Sequence, residues 1–358
     1  MTQNNQIKKR IYYLDITRGF AIFGMFTQHC MIVHEVSAGE GKNLFANFFT
    51  LLGTAPSAPV FMLIMGALLM KSDSSMGRSI WRGIKLLILG FILNLLRFTI
   101  PLLIAVTIFG SDSLNLSEGE TPLNVLFYVD IFQLAGLSII FGALIKNIAE
   151  QKFFIPFLAA FVLLASPFLW GKFDSNPVSH FLWGVTKNVP FPFFPWVIYP
   201  LLGMYLSKYL IGIKSLKRSL KMIGKYGFFL GVLGGIMVLL SSLEIFSFQV
   251  FSPIGDYHRS GAGLHLVIIG FVFLWFNVCY WLEQKFGVEN RIIKVLVYWS
   301  KNVTAIYFIQ WVLFGWSMLI FDQNKQNAFD AALIGLTVLL ITHFSVKKEG
   351  VRKLFSWI

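Results

Sequence analysis

Charge is scarce in this sequence: only 13% of its 358 residues are Asp, Glu, Lys or Arg, and 56% are hydrophobic. A soluble domain carries roughly 25% charged residues. A fold with this composition could not cover its apolar surface with polar groups, so a lipid-facing exterior is implied. Cysteine is nearly absent. Cys30 and Cys279 both fall inside apolar segments, which excludes a disulfide framework. No Cys/His spacing of the zinc-site kind occurs, so no metal is expected. No long linker, low-complexity tract or internal repeat divides the chain, which reads as one domain over 1–358. A small-residue cleavage site is missing after the leading MTQNNQIKKR, so the first apolar stretch is expected to stay as a helix. Acidic residues are few: 17 against 30 basic ones, a net charge of +13. Such a surplus can signal nucleic acid, but here the Lys and Arg sit in short connections between apolar segments, facing anionic headgroups. Nucleic-acid binding is excluded on that ground.

What is abundant is long apolar segments. A spanning helix needs about 20 residues. Ten candidates are found: 12–34, 44–70, 84–110, 123–146, 153–170, 191–211, 226–248, 262–283, 294–320 and 329–346. The expected fold is all-α, a polytopic membrane protein of about ten helices with both termini inside. The orientation comes from the basic residues. With the N-terminus inside, 24 of the 30 Lys and Arg fall at cytoplasmic ends and loops. The other six are Lys42, Arg97, Lys172, Lys187, Arg259 and Lys325. The acidic loop 112–120 then falls outside, as do the loops 171–190 and 249–261, whose Pro, Gly and aromatic content suggests order. The expected location is the cell membrane.

Ionisable residues inside spans are costly and usually face a bundle interior. In the first span Asp15 and Arg18 are one turn apart and can pair. Arg18 and His29 share a face, about 16 Å apart along the axis. A buried His is a natural proton handler near neutral pH; the plainer reading is an interhelical hydrogen bond. His34 lies near the outer end. In the second span Pro56 and Pro59 remove two backbone donors, which suits either a cavity wall or a packing kink. Arg78 and Arg82, four apart at the cytoplasmic start of the third, suit phosphates or serve as ordinary basic anchors. Asp130 and Gln133 stand one turn apart in the fourth, and an Asp there needs a partner such as Arg18, Arg97 or His29. Pro190, Pro192 and Pro195 make the entry to the sixth extended, with a helix starting near Pro195, and Trp196 suits an interfacial belt or a sugar-like acceptor site. Asp256, His258 and Arg259 gather in one outer loop ahead of His265, as a solvated loop or a site lining. Ser300, Lys301 and Asn302 open the ninth span, where capping and snorkelling account for Lys301. Gln310 lies two turns deeper.

In this order, LDITRGFAIFGMFTQH, APVFMLIMGALL, the Arg-bearing start of the third span, VDIFQLAGLS, FPFFPWVIYPLLGMYLSK and KNVTAIYFIQWVLF resemble the transmembrane acyltransferases. That superfamily includes the acyltransferase-3 proteins and the relatives of heparan-α-glucosaminide N-acetyltransferase. The pieces cover most of the chain, and the first and sixth are the specific ones. The resemblance implies transfer of an acyl group, usually acetyl, from cytoplasmic acyl-CoA to an acceptor on the far side, mostly a carbohydrate. His29 stands in the slot of the acyltransferase-3 catalytic His. In the heparan-type enzymes that slot is Asn and the catalytic His lies further on, near Glu40 of this chain; His29 therefore carries the role, with His34 in reserve. Asp130 joins them as a catalytic candidate. Arg18 would lie along the CoA arm, with Arg78, Arg82, Lys301 and Asn302 as further donor contacts. Trp196, Asp256, His258, Arg259 and Gln133 are the acceptor-side candidates. Many relatives have His where this chain has Gln310. The rival readings are a secondary transporter or flippase of a lipid-linked substrate, and a non-catalytic scaffold that keeps the fold. Acceptor identity, acyl length and a homodimer stay open.

Overall fold

The computed structural model describes residues 10–34, 47–48, 50, 53–54, 57–110, 121–151, 153–173, 176–186, 188–212, 215–243, 245, 257–321 and 327–357. Among them every regular element is a helix. The long ones are α1 (Tyr12–Val33), α2 (Ser57–Lys71), α3 (Met76–Asn94), α4 (Ile100–Phe109), α5 (Ile131–Ile145) and α6 (Phe154–Leu169). They continue with α7 (Ile198–Leu210), α8 (Leu216–Ser242), α9 (Ala262–Phe286), α10 (Arg291–Lys301), α11 (Val303–Ile320) and α12 (Ala328–Lys347). Among the described residues, five stretches are long and apolar enough to cross a bilayer: Met76–Ile108, Leu216–Ser242, Ala262–Phe286, Val303–Ile320 and Ala328–Lys347. Ser57–Lys71, Ile131–Ile145 and Phe154–Leu169 are shorter apolar helices beside them. The chain is an all-α polytopic membrane protein.

α1 is the centre. Its buried residues fall on every side of the helix, as expected of a helix enclosed by others. α2, α9, α10, α11 and α12 all pack on it. α6, α8 and α12 lie at the periphery and expose Phe157, Phe161, Phe228, Phe229, Leu336 and Phe344. Such faces suit contact with lipid. α2 and α7 cross closely: a Cβ on Gly66 would overlap the Pro200 carbonyl, and one on Gly203 the Leu63 carbonyl.

Four expected spans are not simple helices. The third starts at Met76 rather than 84 and runs into a π turn, Leu95–Thr99, before α4. Pro101 explains the turn: it has no N–H for the Arg97 carbonyl and its ring would press on that oxygen. Two groups of α11 meet the widened turn. Trp316 Nε1 donates to the Leu96 carbonyl at 3.0 Å, and Gly315 sits so close that a Cβ would overlap the Arg97 carbonyl. The fourth span breaks after a short helix, Pro122–Leu126. Asp130 is thus the N-cap of α5 and not a mid-span residue. Its carboxylate accepts from Ile131 N at 2.8 Å, and Gln133 Oε1 accepts from Asp130 N at 3.1 Å, closing a capping box. The freed backbone is answered by Asn94, whose amide donates to the Leu126 and Tyr128 carbonyls at 2.9 and 2.7 Å. Irregular backbone at membrane depth needs such partners. The sixth span opens with a single turn, Phe193–Trp196, ahead of α7. The ninth splits into α10 and α11 at Asn302. Pro59 stands at the third position of α2, where its missing N–H is harmless; Pro56 lies outside the described residues.

Candidate active site

The first turns of α1 and the start of α3 bring two guanidinium groups to one mouth of a cavity. Arg18 and Arg82 line it there. Arg18 is anchored: it donates to Asp15 at 3.0 Å and to Ser300 Oγ at 2.9 Å. Ser300 in turn donates to Asp15 at 2.6 Å, and Arg10 bonds the other Asp15 oxygen at 2.6 Å. The expected Asp15–Arg18 pair is present, inside a larger network. Arg82 shows no ion pair among the described residues. From this mouth the cavity, about 280 Å³ in volume, runs between α1, α2, α3, α5 and α11. Its middle stretch is apolar, with Met25, Met62, Met65, Leu86, Phe132 and Ile139 on the walls.

Deeper in, His29 lines the cavity. Its Nδ1 faces Gln310 Nε2 at 3.2 Å, while Gln310 Oε1 is buried with no hydrogen-bond partner. The ring lies against Trp311, centroids 4.2 Å apart, with Tyr307 and Phe314 edge-on. With Nδ1 taken by the amide, Nε2 is the ring nitrogen left for the cavity. Gln310 can offer Nδ1 either edge. As a donor it leaves the ring proton on Nε2; turned over, Oε1 accepts from Nδ1–H and Nε2 carries a lone pair.

Beside His29 is a charged pair with almost no exposure. Arg97 Nη1 lies 2.6 Å from Asp130 Oδ2, with side chains 0% and 5% exposed. Of the three partners expected for Asp130, Arg97 is the one present. The Tyr307 hydroxyl, on the cavity wall, donates to the same carboxylate oxygen at 2.8 Å. Arg97 also donates to Asn94 Oδ1 at 2.9 Å and lies over the rings of Phe98 and Trp311 at 4.4 and 4.6 Å. Trp311 therefore has the guanidinium and the imidazole as its neighbours. At the far mouth the lining turns polar and aromatic: Gln28, Thr54, Tyr128, Phe191, Tyr257 and His258.

Several expected site residues stand elsewhere. Trp196 is fully buried and does not line the cavity, which also removes it from an interfacial belt. Its indole N–H donates to the His258 carbonyl at 2.9 Å, so it holds a lining residue in place. Arg259 donates to the carbonyls of Gly184, Thr186 and Val189 and straps that loop. Gln133 is spent on the capping box. His34 is buried against Ser317 Oγ at 3.5 Å, off the cavity. Arg78 bonds Ser75 Oγ at 3.2 Å on the exposed face of α3. Lys301 is exposed, and Asn302 donates to the Tyr298 carbonyl at 2.8 Å; their neighbours Val303 and Thr304 line the cavity instead. His265 pairs with the Tyr199 hydroxyl at 2.9 Å in the core. Asp256 and Glu40 lie outside the described residues. Tyr307 and Trp311 were legible only as helical neighbours of Gln310 in the ninth span. Tyr257 carried no signal beyond its place beside His258. No cluster of three or more His, Cys, Asp or Glu able to hold a metal occurs among the described residues.

Residues 10–240 match the family described as heparan-alpha-glucosaminide N-acetyltransferase, catalytic. The match takes in Arg18, His29, Arg82, Arg97 and Asp130; Tyr307, Gln310 and Trp311 lie beyond it. No curated protein matches the chain.

Proposed function

The chain belongs to the heparan-alpha-glucosaminide N-acetyltransferase catalytic family, and from that premise we propose that it moves an acetyl group from acetyl-CoA to the hydroxyl or amine of a carbohydrate acceptor across the cell membrane. The carrying observation is that one cavity has two arginines at one mouth, an apolar middle, and His29 at its depth. The arginines suit the phosphates of CoA. The apolar stretch suits the pantetheine arm, and its length follows from the roughly 16 Å rise between Arg18 and His29 on one helix face. Aromatic and hydrogen-bonding groups at the far mouth suit a sugar. The Lys/Arg bias assigns the Arg18 mouth to the cytoplasm.

His29 is the general base. Its Nε2 takes the proton of the acceptor O–H or N–H as that atom bonds the acyl carbon. The C–S bond then breaks, and the CoA sulfur leaves with a proton returned from the imidazolium. An acyl-His29 intermediate splits the same change into two steps. Either route needs the lone pair on Nε2, hence the Gln310 amide with Oε1 towards Nδ1. The Asp130 carboxylate, neutralised by Arg97, holds Tyr307 beside the reacting groups. His34, Arg78, Lys301, Asn302, Trp196, Arg259 and Gln133 have no part in this reading.

The test is acetyl-CoA binding to the purified protein in detergent, with CoA and a His29→Ala variant as comparisons. Saturable binding that survives His29→Ala, with transfer lost, is the expected result. A folded protein that binds no acetyl-CoA would overturn the reading and favour transport of a lipid-linked substrate.

A further inference from the structure

A second cavity, of about 780 Å³, opens where the start of α1, the end of α7, the first turns of α8 and the last turns of α9 meet. Its wall carries four cations, Arg10, Lys217, Arg218 and Lys221, against the single carboxylate of Glu283. Arg10 is committed to Asp15 at 2.6 Å. The other three form no ion pair among the described residues, so three exposed positive charges converge on one recess. The N-terminus of α8 lies in the same wall, and its cap residue Ser215 makes no side-chain cap hydrogen bond. Free N–H groups at the start of a 27-residue helix favour an anion.

We propose that this cavity binds the phosphate headgroup of an anionic phospholipid whose acyl chains lie along α8. A free phosphate would use the charges but nothing beyond them. Seven residues past Lys221, about 10 Å along the axis, α8 begins an apolar face that no other element of the described chain covers. Phe228, Phe229 and Ile236 there are 66%, 64% and 49% exposed. That is the spacing between a headgroup and the first part of its chains. Tyr280 adds an amphipathic ring at the boundary. The site is independent of the acetyl-transfer reading, since none of its lining residues lines the first cavity.

The experiment compares lipid retention by native mass spectrometry of the detergent-purified protein, titrated separately with phosphatidylglycerol, phosphatidylcholine and inorganic phosphate. Phosphatidylglycerol is expected to bind at least tenfold more tightly than phosphatidylcholine, with inorganic phosphate failing to displace it at millimolar concentration. The variant Lys217→Ala/Arg218→Ala/Lys221→Ala is expected to lose that preference, while Lys347→Ala/Lys348→Ala, outside the cavity, keeps it. Should the triple variant not fold, Lys217→Gln/Lys221→Gln is expected to give the same ordering with a smaller loss. Equal binding of the two lipids, displacement by inorganic phosphate, or equal losses in the cavity and control variants would each overturn the proposal.

Discussion

Removing the Arg97 side chain tests whether Asp130 is held as a charge inside the membrane protein. The pair is 2.6 Å apart and screened from solvent. In Arg97→Met the carboxylate keeps only the Tyr307 hydroxyl and the Ile131 amide. Breaking one side of a buried pair costs about 3–5 kcal/mol, because the remaining charge stays desolvated. Asp130→Asn leaves the opposite charge stranded and should cost a similar amount, although Asn still caps α5. The double variant Arg97→Met/Asp130→Asn strands no charge. It loses the Asn94 bond and the ring contacts of the guanidinium, worth about 1 kcal/mol each. The double variant should therefore lie within roughly 2–3 kcal/mol of the parent, well short of the sum of the singles. Equilibrium unfolding in mixed micelles, followed by tryptophan fluorescence, measures all four corners of the cycle. Additive single losses would refute the reasoning, since they would mean that the two groups do not compensate each other.

Four further outcomes are expected. His29→Ala should lower acetyl transfer by about 10²–10⁴-fold while acetyl-CoA binding persists; a folded variant with parental turnover would remove His29 from the chemistry. Gln310→Leu should reduce kcat with little change in KM or thermal midpoint, and Gln310→Glu, which can only accept from Nδ1–H when ionised, should restore part of it; equal losses in both would leave Gln310 a packing residue. Arg82→Ala should weaken CoA binding about tenfold in a competition assay, and Arg78→Ala should leave it unchanged, because only Arg82 lines the cavity. Gly315→Leu should destabilise by more than the 1–3 kcal/mol of ordinary overpacking, because even a Cβ added at this position would overlap the Arg97 carbonyl; gel filtration showing a parental monodisperse yield would contradict that crossing.

Composition and apolar run length were enough for the fold class, because both follow from the solvent and not from any contact. Motif order was enough for the family. Helix ends were harder. The extensions of the third and seventh spans to Met76 and Leu216 carry Arg78, Arg82, Lys217, Arg218, Lys221 and Lys225, charges that a hydropathy window rejects although the helix continues through them. Asp130 and Gln133, one turn apart, looked like a polar pair within a helix; the same spacing is that of a capping box, and only the Asn94 amide reaching from α3 decides between them. Trp196 was misplaced for a related reason. Aromatic residues near a span end suit a membrane interface, but the turn Phe193–Trp196 is folded inward over His258. Arg97 lies in the outer half of its span and is one of three partners the sequence offers Asp130; the choice among them is a contact across two elements that no local pattern encodes.

The irregular backbone and the cavity coincide. The π turn at Leu95–Thr99 carries Arg97 to Asp130. The break before α5 supplies Tyr128 and Asp130, the proline-rich entry to the sixth span supplies Pro190 and Phe191, and the interruption at Asn302 is followed by Val303 and Thr304; all of these line the cavity. A bilayer core tolerates unpaired backbone only where protein or a polar cavity satisfies it. Each interruption therefore needs a neighbour: the Asn94 amide answers the α5 break and the Trp316 indole the π turn, both from outside the cavity lining, while Tyr257, which lines the cavity, donates to the Thr54 carbonyl at 2.6 Å. The breaks in individual spans, with the Asp130 cap that satisfies the start of α5, are where the groups beside His29 are placed.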